Sequence, residues 1–314
     1  MRLLVTAMQC DEFISEETLS AKIGKVYLVG AGPGHPDLLT VRAVRLIQAG
    51  EVIVYDRLIQ EEVLALARPS AEKIFMGKFL GKHASRQEEI HELLVSKAKE
   101  GKVVIRLKGG DPFLFGRGGE EAEYLVEHEV PFEVVPGVSS CLSAPLSAGI
   151  AVTHRDVASS VAIVTGHNSA ANHDRVDWQG LSKVDTLVVL MGVHNVGHIA
   201  QALIAAGRPS DTPAAMVQMA FWPGQEIVVG TLATINEDVR RARIEAPATL
   251  VIGEVVRLHE KLKCASPNMT SEWQRPLTAM LEPLCLQSES QDWSFSEQNE
   301  EHAAPKGAAT EVIS

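Results

Sequence analysis

The sequence predicts an α/β protein built as two α/β domains with a cleft between them, and three observations carry that expectation. Short apolar runs alternate with helix-period patterns through the first half. A second series of runs, richer in consecutive strands, fills the later half, and a small, Ser/Ala-rich stretch near residues 137–160 lies between the two. The chain of 314 residues, 46 % hydrophobic, is long enough for a substantial core in one large or two medium domains.

In sequence order, KVYLVG, EVIVYD, KVVIRL and PFEVVPG read as strands. DLLTVRAVRLIQAG, SRQEEIHELLVSKAKEG and GEEAEYLVEH read as the helices between them. Strictly alternating strands and helices imply a largely parallel sheet. Gly50 and Gly101 fall where helix C-caps are expected, and Ser85 with Glu88 forms a capping box. The second series is SVAIVTGH, DTLVVLMG, TPAAMVQMA, EIVVGTLATI and ATLVIGEVV, with one clear helix, GHIAQALIAAG, which together suggest a mixed sheet. The expected organisation is an N-terminal extension over 1–24, an N-terminal α/β domain over 25–137, a C-terminal α/β domain over 138–262 and a disordered acidic tail over 263–314.

Charge is concentrated at the ends. Of the net −11, residues 265–314 carry −6 and residues 1–24 carry −2, which leaves −3 for the body. A near-neutral body has no basic field for nucleic acid, and no apolar run approaches the roughly 20 residues of a membrane helix. The N-terminal MRLLVTAMQCDEF lacks a signal-peptide pattern, so a cytoplasmic protein is expected. Cys10, Cys141, Cys264 and Cys285 are scattered without C-x-x-C spacing, as reduced thiols are. His194 and His198 share i, i+4 spacing, but two ligands do not close a site and no metal is expected.

The stretch KVYLVGAGPGHPDLLT resembles a dinucleotide-binding loop only in part. Gly30 and Gly32 fit G-x-G-x-x-G, and Asp56 stands where the ribose-binding acid would. His35 replaces the third glycine, however, and Pro33 removes a loop N–H that a pyrophosphate would need. The glycines still permit close backbone approach to a ligand without phosphate. A second glycine-rich strand exit, RLKGGDPFLFGRGGEE, follows at Arg106 to Glu121, and VPGVSS follows at Val135 to Ser140.

Taken together these motifs resemble the tetrapyrrole methylase superfamily over about residues 25–260. Within it they are most similar to the uroporphyrinogen-III C-methyltransferase family, through VGAGPGHPDLLTVRA, YDRL, GKFLGKH with QEEI, RLKGGDPFLFGRGGEE, VTHRDVASSVAIVTGH, LMG and APATLVIGEVV. His35 in place of Asp, Phe79 in place of a basic residue and Arg86 in place of Pro depart from the family pattern on the substrate side. The resemblance implies S-adenosyl-L-methionine as cofactor, held between two α/β domains, and a homodimer. It implies methyl transfer to uroporphyrinogen III, giving precorrin-2 by way of precorrin-1, in sirohaem, corrinoid or haem d1 biosynthesis. No dehydrogenase–chelatase domain accompanies the motifs, so later steps of sirohaem synthesis are expected to belong to other proteins.

By the same resemblance the cofactor contacts are Pro33, Gly109, Gly110, Asp111, Leu114, Ser139, Ser140, Met191 and Ala220, and the catalytic groups are Asp56 as proton acceptor and Lys78 as proton donor. Each has a plainer reading beside it. Asp111 is either a partner for the methionine ammonium or a turn residue, and Met191 is either adenine-facing or a core methionine. Asp56 at a strand end suits a base, and it also suits the N-cap of a helix RLIQEEVLALA. Lys78 read alone would be a solvated loop lysine. A polycarboxylate substrate calls for cations at the cleft mouth, and Arg57, Lys82, His83, Arg106, Lys108, Arg117 and Arg155 are the candidates. Two alternatives stand beside the methyltransferase of uroporphyrinogen III: a superfamily member acting on a later corrin precursor, a protein or an RNA, and an NAD(P)-binding protein.

Overall fold

The computed structural model describes residues 23–77, 85–166 and 176–263. The first sheet holds β1 (Lys25–Gly30), β2 (Val52–Tyr55), β3 (Glu72–Phe75), β4 (Val103–Lys108) and β5 (Phe132–Val135) in the order β3-β2-β4-β1-β5. Every neighbouring pair in it is parallel. The helices of this half are α1 (Val41–Ala49), α2 (Glu61–Leu64), α3 (Ser85–Lys99) and α4 (Gly118–Glu127). β3 is the element of this half that the sequence pattern does not show, whereas α2 lies within the expected helix RLIQEEVLALA. EKIF is only four residues long and mostly exposed, which leaves little apolar signal.

Strand alternation sorts the side chains onto two faces. Val26, Leu28, Val52, Val54 and Val104 face α3 and α4, where they meet Ile90, Leu94, Val95, Ala98, Ala122 and Leu125. Val29, Ile53, Ile105, Leu107 and Val135 face α1 and α2 and meet Ala43, Leu46, Ile47 and Val63. Helix α1 starts at Thr40, whose hydroxyl accepts the Ala43 N–H at 3.2 Å. It ends at Gly50, whose φ of −60° is unremarkable. Glycine is required there by space, because a Cβ would lie 2.5 Å from the Ile105 side chain.

The later half holds α5 (Ser140–Ser147), β6 (Val161–Thr165), α6 (Trp178–Leu181), β7 (Thr186–Leu190), α7 (Val196–Ala205), β8 (Pro213–Gln218), β9 (Glu226–Thr231), α8 (Ile235–Arg241), β10 (Ala248–Ile252) and α9 (His259–Leu262). The sheet order is β6-β7-β10-β8-β9, with β6 and β7 parallel and the remaining pairs antiparallel. One face packs on α7 and α8 through Leu187, Val189, Ile199, Leu203, Met216, Ile235 and Leu250. The other packs on α5 and the segment after β10 through Ala144, Ala148, Ala215, Val251, Val255 and Val256. The Ser/Ala-rich stretch therefore contains a helix whose small residues let it lie close against this second sheet. Among the described residues no helix is long and apolar enough to cross a membrane.

Candidate active site

All five strands of the first sheet run the same way, so their C-terminal ends share one edge, and three glycine-bearing exits meet there. Gly32 and Gly110 bond each other reciprocally: Gly110 N–H donates to Gly32 O at 2.7 Å and Gly32 N–H donates to Gly110 O at 3.2 Å. The exit of β5 completes the set. A Cβ on Gly137 would lie 2.2 Å from Gly110 O and 2.8 Å from Gly30 Cα, so the three backbones touch where no side chain fits. Gly32 and Gly110 also both have φ of +69°, a region where a side chain is strained.

Asp111 fastens the set. Its Oδ1 accepts the Phe113 N–H at 2.9 Å, an Asx turn, and its Oδ2 accepts the Gly137 N–H at 3.2 Å. The turn reading of Asp111 thus holds, and it ties the second exit to the third. Ser139 and Ser140 follow at once. Ser139 is the N-cap of α5, its hydroxyl accepting the Cys141 N–H at 3.4 Å, and a Cβ on Gly110 would be 3.8 Å from Ser139 Cα.

The later half reaches the same place along three contacts. Leu114 packs with Cys141, Val188 and Leu190, which brings the second loop to the exit of β7. Leu38, just past the first loop, packs against the cluster containing Ala220 and Phe221. Trp222 then donates its indole N–H to Pro33 O at 2.8 Å, over Gly34, where a Cβ would lie 2.2 Å from the indole nitrogen. No sequence motif marks Trp222. The signal for it lies in pairing an aromatic at a strand exit with a glycine far away along the polypeptide, which a single sequence does not display.

Met191 leaves β7 with φ of +57° and is 50 % exposed, so the core-methionine reading is overturned. Phe115, Arg117, Met219 and Phe221 share this left-handed backbone at the neighbouring loops. Non-glycine residues in that region cost of order 1–3 kcal/mol each and cluster where a ligand is held. Every expected cofactor residue, from Pro33 to Ala220, thus lies on or against one connected set of strand exits. Glycine-walled backbone, exposed apolar side chains and a carboxylate form a donor set that fits an adenosyl group joined to an amino-acid zwitterion.

Asp56 follows β2 directly on this edge. Its Oδ1 accepts the Leu58 N–H at 3.0 Å, and a Cβ on Gly109 would touch Leu58 at 3.0 Å. The helix-cap reading of Asp56 is corrected here, since α2 begins at Glu61 behind an N-cap at Gln60. Lys78, Lys82 and His83 lie outside the described residues, as do the side chain of Ser85 and residues 264–314. Gly77, which precedes Lys78, is close-packed on the turn after Asp56, where a Cβ would lie 3.0 Å from the Arg57 N.

Two of the proposed substrate cations are corrected by burial. Arg106 and Lys108 are 4 % and 3 % exposed, on the same face of β4 as Val104, and both donate to Glu121 Oε1 of α4, at 3.1 and 2.8 Å. Burial pushes the Lys108 ammonium down in pKa, with Arg106 adding to the shift. For Glu121 burial acts upward, yet Arg106 and Lys108 outweigh it and hold the carboxyl below the usual carboxylate range. Arg117 pairs with Glu120, and Arg57 and Arg155 are exposed.

An α/β scaffold of two sheets whose glycine-bearing loops leave the carboxyl ends of strands is a small-molecule enzyme of the kind that binds a nucleoside cofactor at one sheet edge. Residues 25–236 match the tetrapyrrole (corrin/porphyrin) methylases, and the chain belongs to that family. It is 50 % identical over 246 residues to an S-adenosyl-L-methionine-dependent uroporphyrinogen III methyltransferase of Methanosarcina barkeri, covering 78 % of this chain and 96 % of that one. It is also 50 % identical over 250 residues to a siroheme synthase of Thiobacillus denitrificans, of which it spans only 52 %, about half the length. Among solved structures, uroporphyrin-III C-methyl transferase from Thermus thermophilus complexed with S-adenyl homocysteine matches with a TM-score of 0.65 at 43 % identity, over 75 % of this chain and 94 % of that one.

Proposed function

We propose that the protein methylates uroporphyrinogen III at carbon with S-adenosyl-L-methionine, giving precorrin-2 by way of precorrin-1. The observation that carries this reading is the joining of three glycine exits beside a strand-end carboxylate, in a protein similar along nearly the whole length of relatives bearing that activity in their names. When bound, S-adenosyl-L-methionine supplies a methyl made electrophilic by its positive sulfur. Pro33, Gly109, Gly110 and Asp111 of the first sheet hold it together with Leu114, Ser139, Ser140, Met191 and Ala220. Their work is alignment and exclusion of water, which contributes about 7–11 kcal/mol in ideal cases. Asp56 accepts the proton that leaves the alkylated tetrapyrrole; Lys78 is the proposed proton donor, and any proton it gives is regained from solvent, so one proton is released per methyl transferred. The exposed Arg57 and Arg155 are placed by this reading toward substrate carboxylates.

The protein acts in the cytoplasm and as a homodimer. Leu142 and Leu146, one turn apart on α5 and 53 % and 65 % exposed, supply apolar surface for a second copy. The deciding experiment is incubation of the purified protein with uroporphyrinogen III and S-adenosyl-L-methionine. Precorrin-2 is the expected product, and its absence from a folded protein that binds the cofactor would overturn the assignment.

A further inference from the structure

The face of β4 that carries Val104 is apolar where it meets α3, and then becomes charged at Arg106 and Lys108, with Glu121 fully buried between them. Burying three ions costs several kcal/mol each before their attraction is counted, and well-packed apolar side chains in such places are often as stable or more so. A cluster of this kind therefore calls for a role beyond stability. Its geometry supplies one. The Arg106 guanidinium is held at two points, Nε on Glu121 Oε1 at 3.1 Å and Nη1 on the Leu107 carbonyl at 3.1 Å. Those two bonds fix the planar fork and leave Nη2 facing Asp56 Oδ2 at 3.8 Å. The other oxygen of Asp56 is held by the Leu58 N–H.

We propose that Arg106, locked in place by Glu121 and Lys108, is a positioning residue that fixes the Asp56 carboxylate at the mouth of the glycine loops. The inference rests on Asp56 being the proton acceptor proposed above. Lys108 serves at one remove: its ammonium on Glu121 Oε1 keeps that carboxylate oriented toward the fork. The first sheet thus delivers a rigid carboxylate to the edge from a charged girder under β2 and β4, while the loops above are joined by reciprocal backbone bonds, the Asp111 carboxylate and the Trp222 indole.

The test uses the full-length protein, three variants of the cluster, and the Asp56→Asn protein with and without Arg106→Lys. Arg106→Lys keeps the charge and loses the fork, and Glu121→Gln loosens it. The triple change Arg106→Met, Lys108→Met, Glu121→Met replaces the cluster by apolar side chains expected to fold. Each is expected to bind S-adenosylhomocysteine by calorimetry within about threefold of the parent, whereas kcat for methyl transfer falls about 10- to 100-fold with KM for the tetrapyrrole little changed. In an Asp56→Asn background, Arg106→Lys is expected to lower the residual rate by less than about twofold, because the group it positions is already gone. A triple variant that binds cofactor and turns over like the parent overturns the proposal. So does an Arg106→Lys loss equally large in both backgrounds. If Asp56→Asn alone leaves turnover intact, the base assignment itself fails, a result distinct from either of these.

Discussion

The two sheets bear on the same site in opposite ways. The first is wholly parallel, so strand direction alone gathers its exits on one edge, and its face toward α4 spends three buried charges close to that edge. The second is mixed, and its main core is built of Leu, Val, Ile, Ala and Met. It contributes to the site through loop residues, Met191, Ala220 and Trp222, rather than through a buried polar frame. On the proposed function the contrast teaches a division of labour: the first sheet anchors the chemistry, and the second supplies loop residues to the site and stabilises the fold.

Substitutions can break or sharpen that division. The largest effect is expected from Asp56→Asn, which should lower single-turnover methyl transfer about 10²–10⁴-fold while S-adenosylhomocysteine binding by calorimetry stays within about threefold. Equal losses in both would remove Asp56 from catalysis. In the core of the second sheet, Leu203→Ala on α7 empties a fully buried position and should cost about 2–5 kcal/mol in urea unfolding, with turnover per folded molecule retained. A specific loss of turnover there would contradict the division. Gly137→Ala drives a methyl onto Gly110 O and should cost about 1–3 kcal/mol. Unlike Leu203→Ala it should also weaken cofactor binding at least about tenfold, because one methyl displaces three exits at once. Trp222→Phe removes the single indole bond to Pro33 and should cost only about 1 kcal/mol, read as a small drop in the urea midpoint.

Much of the fold was legible because each long strand is an apolar run beside a helix of different period. KVYLVG, KVVIRL and DTLVVLMG needed no more than that. EKIF was not legible, since an edge strand with exposed Glu72 and Lys73 looks like loop. At the site, the glycine exits were visible as motifs, but their reason was not. Gly30 and Gly137 are 107 positions apart in the sequence, and only the fold shows that each excludes the other's Cβ. Arg106 and Lys108 misled for a related reason. A cation beside a glycine motif suggests an anionic ligand, and burial against Glu121 depends on where α4 lands. For Met191 the apolar sequence neighbours left a core reading open beside the cofactor-facing one, and the strand ends one residue earlier and turns it outward.

The indole resting on the first glycine loop has a practical corollary. Trp178 packs against the core of the second sheet, whereas Trp222 is built into the rim by its bond to Pro33. Its emission responds to the polarity around the ring, so the protein holds a native optical gauge of that loop. Subtracting the spectrum of the Trp222→Phe protein isolates the signal, and cofactor capture could then be followed in real time without a label.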